Sequence, residues 1–105
     1  MPNEDQELLS RLKESDKNSF RDLFSKYHQS LFNFVLYRLK DEVIADDIVQ
    51  ETFLRVWKHK NTIKPNQSFF SYIAKISNNL CMDYFRHENV KLRHQTYTPA
   101  NAVWG

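Results

Sequence analysis

The chain has almost no glycine. The single one, Gly105, is its last residue, and the prolines are only Pro2, Pro65 and Pro99. Phosphate loops and dinucleotide-binding turns need glycine where the backbone closes on its ligand, so Walker and Rossmann fingerprints are excluded. A β-sandwich or barrel would need several turns marked by glycine, asparagine or proline, and long stretches here carry no such mark. The one cysteine, Cys81, allows no internal disulfide. His28, His59, His87 and His94 show neither HExxH spacing nor a paired-cysteine partner, so no metal site is expected. No Ser/His/Asp arrangement stands out, which makes an enzyme the weakest class of reading; no catalytic residue and no cofactor are expected. The N-terminal MPNEDQELL lacks the basic start and apolar run of a secretion signal, and no window reaches the roughly 18 apolar residues of a membrane span. A cytoplasmic location is expected.

What is present points to helices. The 105 residues suffice for one domain, and 41% hydrophobic with 14% aromatic residues is too apolar for a disordered chain. Leu8, Leu9 and Leu12 fall on one side of a short helix from Asn3 to about Glu14, with Asn3 or Asp5 as its cap. Asp16 caps a second helix, where Phe20, Leu23, Phe24, Tyr27, Leu31, Phe34, Val35 and Leu39 recur at steps of three and four. Asp41 opens a third, with the stripe Ile44, Ala45, Ile48, Val49, Thr52, Phe53, Val56 and Trp57. The pattern stops in a loop, residues 61–68, where Pro65 forbids helix continuation. A fourth helix begins near Ser68, carries Phe69, Phe70, Ile73, Ile76, Ser77, Leu80, Cys81 and Tyr84, and ends about His87. The expected architecture is all-α, a small bundle of about four helices over residues 1–88, followed by a tail or the start of an interdomain linker over 89–105.

Charge is divided along the chain. Residues 1–51 hold seven Lys/Arg against eleven Asp/Glu, net -4; residues 52–105 hold eight against two, net +6. An acidic half and a basic half suit two kinds of partner, the basic one being a candidate for phosphates. In the third helix, Asp46, Asp47 and Gln50 share an outward arc with Arg55 or Trp57, while Ile48, Val49 and Thr52 face inward. Such an acidic and amide face suits a basic partner helix. The second constellation is basic and aromatic: Trp57, Lys58, Lys60, Lys64, Phe69, Phe70, Tyr72, Lys75, Asn78, Asn79, Arg86, Lys91 and Arg93. Cations attract a phosphate backbone, rings stack on unpaired bases, and asparagine reads base edges. Phe69 belongs to the core stripe, which leaves Tyr72, Asn79 and Arg86 for outside work.

These residues resemble a known family. Ala45-Asp46-Asp47-Ile48-Val49-Gln50-Glu51-Thr52-Phe53-Leu54, then Trp57, then Phe69-x-x-Tyr72-Ile73-x-x-Ile76-x-x-Asn79-x-x-x-Asp83-x-x-Arg86, look like region 2 of a bacterial RNA polymerase sigma factor of the sigma-70 family. The match is closer to the extracytoplasmic function (ECF) group, in which Leu9, Phe20 and Tyr27 also sit at familiar places; it spans about residues 5–88. The resemblance implies a transcription initiation factor domain whose Asp-x-x-Gln-Glu face docks on the clamp-helix coiled coil of the β′ subunit of core RNA polymerase. That role falls to Asp47, Gln50 and Glu51, with Phe53 nearby.

It also implies that the last helix and the loop before it bind the non-template strand of the promoter -10 element, with a flipped-out base held in a loop pocket. Asn61, Ser68, Tyr72, Asn79 and Arg86 take that role, with Lys60, Lys64 and Lys75 as phosphate contacts. Extruding a base costs a few kcal/mol of lost stacking, so a shaped pocket couples recognition to melting. The sequence departs from the family where Tyr72 replaces a frequent tryptophan and Asn78 a frequent arginine. A complete ECF factor carries a second domain for the -35 element, which nothing after residue 88 could form. The competing reading is a helical protein-interaction module that binds a partner such as an anti-sigma factor and never touches DNA.

Overall fold

The computed structural model describes residues 4–64 and 66–97, with side chains through Arg93. Among these, four α-helices and one 3-10 turn follow in order: α1 (Glu4–Lys13), α2 (Lys17–Leu39), α3 (Glu42–Lys58), the turn (Lys60–Thr62) and α4 (Phe69–Tyr97). The architecture is the expected all-α bundle.

Helix starts follow the carboxylates. The Asp16 Oδ1 accepts from the Asn18 amide at 2.9 Å and opens α2; the Asp41 Oδ1 accepts from the Ile44 amide at 3.0 Å and opens α3. Each satisfies one of the amides that a helix start leaves without a partner. With no interior glycine available, two non-glycine residues, Ser15 and Lys40, adopt the left-handed conformation just after α1 and α2. At Lys40 the bend returns its amide to the Leu36 carbonyl at 2.7 Å.

One expected boundary holds, that of the third helix, and one differs, that of the fourth. The third helix ends at Lys58, well before Pro65, because the chain tightens into the 3-10 turn: the Thr62 amide and hydroxyl donate to the His59 carbonyl at 2.9 and 2.8 Å. Pro65 itself lies outside the described residues. The fourth helix passes His87 and runs to Tyr97. Apolar periodicity marks only where a helix touches the bundle; beyond that, residues 89–97 continue because they hold no glycine or proline. The Lys91–Glu88 pair at 3.5 Å supports that segment one turn back. Residues 98–105 of the expected tail lie outside the described residues.

The core is one cluster contributed by every helix: Leu8, Leu9 and Leu12 of α1, Leu23, Leu31 and Val35 of α2, Ala45, Ile48, Val49, Phe53 and Val56 of α3, Ile63, and Phe69, Ile73 and Cys81 of α4. Burial pushes the Cys81 thiol up from its usual value, consistent with a small core residue. The buried hydroxyls of Ser19, Thr52 and Ser77 each donate to a carbonyl of their own helix or its cap, at 2.8 to 3.0 Å, so none is left unsatisfied.

The shortest helix is tied on by charge. Asp5, expected as a possible cap, instead lies inside α1 and reaches across to α2, where it accepts from Lys26 Nζ at 2.6 Å and from the Tyr27 hydroxyl. Asn3, the other candidate cap, lies outside the described residues. Glu4 adds a second acceptor to Lys26 at 3.0 Å. Burial opposes the Asp5 charge, but the hydrogen bonds from Lys26 and Tyr27 prevail and hold its carboxyl below the usual range. Burial, then the bond to Asp5, pushes the Tyr27 phenol up to about 12. The Asp5 contribution is therefore present above the ordinary carboxylate range and lost as pH falls through its lowered value, whereas the Tyr27 contribution is present below its ordinary value and lost as pH rises through about 12. Substituting Asp5→Asn is expected to cost about 1 kcal/mol at neutral pH, given the partly exposed pair. Thermal melts of both proteins across pH check this, and the two curves should converge in strong acid.

Candidate nucleic-acid and protein interfaces

Packing Ile48, Val49, Thr52, Phe53 and Val56 inward leaves one arc of α3 in solvent. Asp46, Asp47 and Gln50 are exposed, and Glu51 is half-buried. The arc is internally braced: Gln50 Nε2 donates to Asp46 Oδ2 at 2.8 Å, and Arg55 Nε donates to Glu51 Oε2 at 3.0 Å. Both are surface contacts between residues four apart, worth a few tenths of a kcal/mol and easily exchanged for a partner's groups. The surface beside them is concave and apolar. Leu54, 64% exposed, borders a groove of about 450 Å³ with Phe20, Phe24 and Trp57, rimmed by Lys17 and Arg21. Leu54 was legible as an outward residue, since it falls between the inward positions Phe53 and Val56, but the groove needs α2 alongside.

Phe53 does not belong to that surface. It is 2% exposed and meets Phe20, Phe24 and Phe69 at ring-centroid distances of 6.4, 4.9 and 6.5 Å. Its expected place near the docking face is corrected to the core, because an aromatic ring at the junction of three helices gains more from burial than any surface offers. It holds α3 in the orientation that turns Gln50 outward.

On α4, Ser68 caps the helix. Its hydroxyl accepts from the Ser71 amide at 3.3 Å and its carbonyl from the Tyr72 amide at 3.1 Å. Ser68 therefore orients the helix start, and its hydroxyl is already engaged. From there Ser71, Lys75, Asn79 and Arg86 form an exposed stripe at steps of four and seven. The span from Lys75 to Arg86 is about 16 Å at helical rise. Tyr72 is half-buried beside Phe69, with ring centroids 6.5 Å apart and planes tilted by 32°. Arg86 is bridged to Asp83 at 2.7 Å, with both side chains well exposed.

The polar and cationic groups before α4 divide. Asn61 and Lys64 are exposed on the connection. Lys60 is held back against Trp57, its Nζ 4.3 Å from the ring centroid and 3.2 Å from the Trp57 carbonyl. One group on this side escaped the sequence reading. Arg38 of α2 reaches α4, its Nε donating to Asn78 Oδ1 at 3.2 Å. Forty positions separate the two, and nothing local to either signals the meeting.

The acidic arc of α3 and the cationic stripe of α4 thus lie on separate helices of one bundle, and no cluster of metal ligands is found among the described residues. The model of sigma-70 region 2 matches residues 23–90, and the chain belongs to that family. Its similarity to the ECF group is carried by several curated relatives. The chain is 26% identical to RNA polymerase sigma factor CarQ of Myxococcus xanthus over 90% of its own length and 57% of the relative's. It is 29% identical to ECF RNA polymerase sigma factor SigX of Bacillus subtilis over 69% of the chain and 37% of the relative. With ECF RNA polymerase sigma factor BldN of Streptomyces coelicolor the identity is 26%, over 86% and 34%. The chain thus spans between about a third and somewhat more than half of these relatives. Among solved structures, an engineered region 2 of sigmaE, determined by NMR in complex with GTAAAA, shares the fold with a TM-score of 0.77 at 22% identity, covering 86% of this chain and 94% of that one.

Because Phe53 is a core residue, Phe53→Ala is expected to cost about 3 to 5 kcal/mol of stability. Chemical denaturation checks this, and any loss of partner binding should track the unfolded fraction.

Proposed function

We propose that this chain is the part of a transcription initiation factor that docks on core RNA polymerase through α3 and holds the non-template strand of the promoter -10 element on α4 and the connection before it. The observation that carries the reading is the separation of charge onto two exposed helix faces within one family-typical fold. Asp47, Gln50 and Glu51 would meet a basic helix of the β′ subunit, with Leu54 as an apolar neighbour. On α4 and the connection before it, Asn79 has the donor and acceptor to read a base edge, Tyr72 a partly exposed ring on which a base could stack, and Asn61, Lys64, Lys75 and Arg86 the polar and cationic groups for the strand. Lys60 joins them only on leaving Trp57, and Ser68 acts by fixing where α4 begins.

In this reading the protein works by binding, without catalysis, in the cytoplasm where the polymerase is. No helix among the described residues is long and apolar enough to cross a membrane. Residues 1–88 would form the working domain, with 89–105 leading away from it, the first part as a continuation of α4.

Core RNA polymerase captured on resin should retain the unaltered chain and release the double variant Gln50→Ala, Glu51→Ala, which should keep its helical circular dichroism because both side chains lie on the surface. Equal retention of both would remove the docking face from the proposal and favour the interaction-module reading. Separately, Asn79→Ala should cost about 1 to 3 kcal/mol of discrimination at one base of a single-stranded -10 oligonucleotide while leaving the melting temperature unchanged. Fluorescence anisotropy with each base substituted in turn measures it.

A further inference from the structure

Arg38 stands in the last turn of α2, yet its contacts reach beyond that helix. Its guanidinium carbon lies 3.8 Å from the centroid of the Phe34 ring, Nη1 donates to the Phe34 carbonyl at 3.2 Å, and Nε donates to Asn78 Oδ1 on α4 at 3.2 Å. Phe34 is itself set edge-on against Phe70 of α4, with centroids 6.1 Å apart. The ring beneath and the amide beside it fix the plane of the guanidinium before any ligand arrives. A carbonyl, an amide and a ring are its partners here, and none of them cancels its charge.

Proximity to a helix C-terminus explains the bond to the Phe34 carbonyl, since a cation there meets the negative end of the dipole. It does not explain why the same group reaches across to α4. Asn78 lies three residues after Lys75 and seven after Ser71, spacings that share one helix face, so the bond sets a planar cation beside the exposed stripe of Ser71, Lys75, Asn79 and Arg86. Arg38 is exposed, and these two bonds engage only part of a guanidinium with five N–H donors. A planar fork with donors to spare matches the geometry of a phosphodiester, and holding it in advance lowers the entropy lost on binding.

We propose that Arg38 is a backbone clamp for the single strand bound on α4: it contacts a phosphodiester while Asn79 reads a base. The inference rests on the reading of α4 as a nucleic-acid face and adds α2 to that face. A phosphate contact carries no sequence information, so its effect should be uniform across sequences and should appear in the salt dependence.

The test titrates the full chain, Arg38→Gln and Arg38→Lys with a labelled single-stranded oligonucleotide containing GTAAAA and with a shuffled version of it, between about 50 and about 200 mM salt. Arg38→Gln should weaken binding of both oligonucleotides by a similar factor, about three- to tenfold at the lowest salt, and flatten the slope of log affinity against log salt by about 0.7. Arg38→Lys should restore the slope, and melting temperatures should stay close to that of the unaltered chain. A slope unchanged in Arg38→Gln overturns the clamp, whether affinity is kept or falls together with the melting temperature; in the second case Arg38 only braces α2 against α4. Failure of the unaltered chain to bind either oligonucleotide overturns the nucleic-acid reading, and the clamp with it.

Discussion

The structure depends on one aromatic junction. Phe53 of α3 is buried among Phe20 and Phe24 of α2 and Phe69 of α4, so a single ring joins three helices. Trp57, one turn on, extends the contact to Phe20 at 5.3 Å, and Tyr27 extends it to Phe69 at the same distance. Rings of this size prefer edge-on arrangements, which restricts the rotation of each helix about its axis more than interchangeable aliphatic contacts would. Once those rotations are set, the outward residues of α3 and α4 are set as well. A partner at either face meets a prearranged row of groups, and the entropy of ordering them was spent in folding.

That constraint lets a small unit carry two surfaces of opposite sign. The acidic arc of α3 is braced along its own helix by Gln50 to Asp46 and by Arg55 to Glu51. The basic side instead draws on two helices, since Arg38 arrives from α2. The acidic and basic halves of the chain nearly cancel in the net value of +2, while each exposed arc keeps its own local field. At physiological salt, screening over roughly 8 Å keeps those fields from interfering across the bundle. In the proposed function, with one partner on each face, this separation matters more than the total charge.

Much of this was legible in the sequence, for local reasons. Asp16 and Asp41 could be read as caps because a capping carboxylate bonds amides two or three positions away. The stripes of α2, α3 and α4 could be read because three- and four-residue spacing puts a side chain on the same face whatever lies opposite. Other features were hidden. Asp5 reads as a cap by position, yet it crosses to Lys26 and Tyr27, a choice made by what α2 offers. Phe53 falls on the apolar stripe of α3 by spacing, yet the motif it shares with Gln50 and Glu51 also puts it near the docking face, and only the closing of Phe20, Phe24 and Phe69 around it decides for the core. The continuation of α4 to Tyr97 is not legible from apolar periodicity, because periodicity reports contact with the bundle and the segment's own helix propensity leaves no such stripe.

The amino-acid sequence by itself determined the helices, their faces and the division of charge, because each follows from backbone hydrogen bonding and from spacing within about one turn. Tertiary structure decided which outward groups share a surface. Lys60 folds back on Trp57, Ser68 spends its hydroxyl on the start of α4, and Arg38 meets Asn78 from another helix. Those outcomes depend on the angles and distances between helices, which are fixed by the fit of buried rings and carry no signature in the local order of residues.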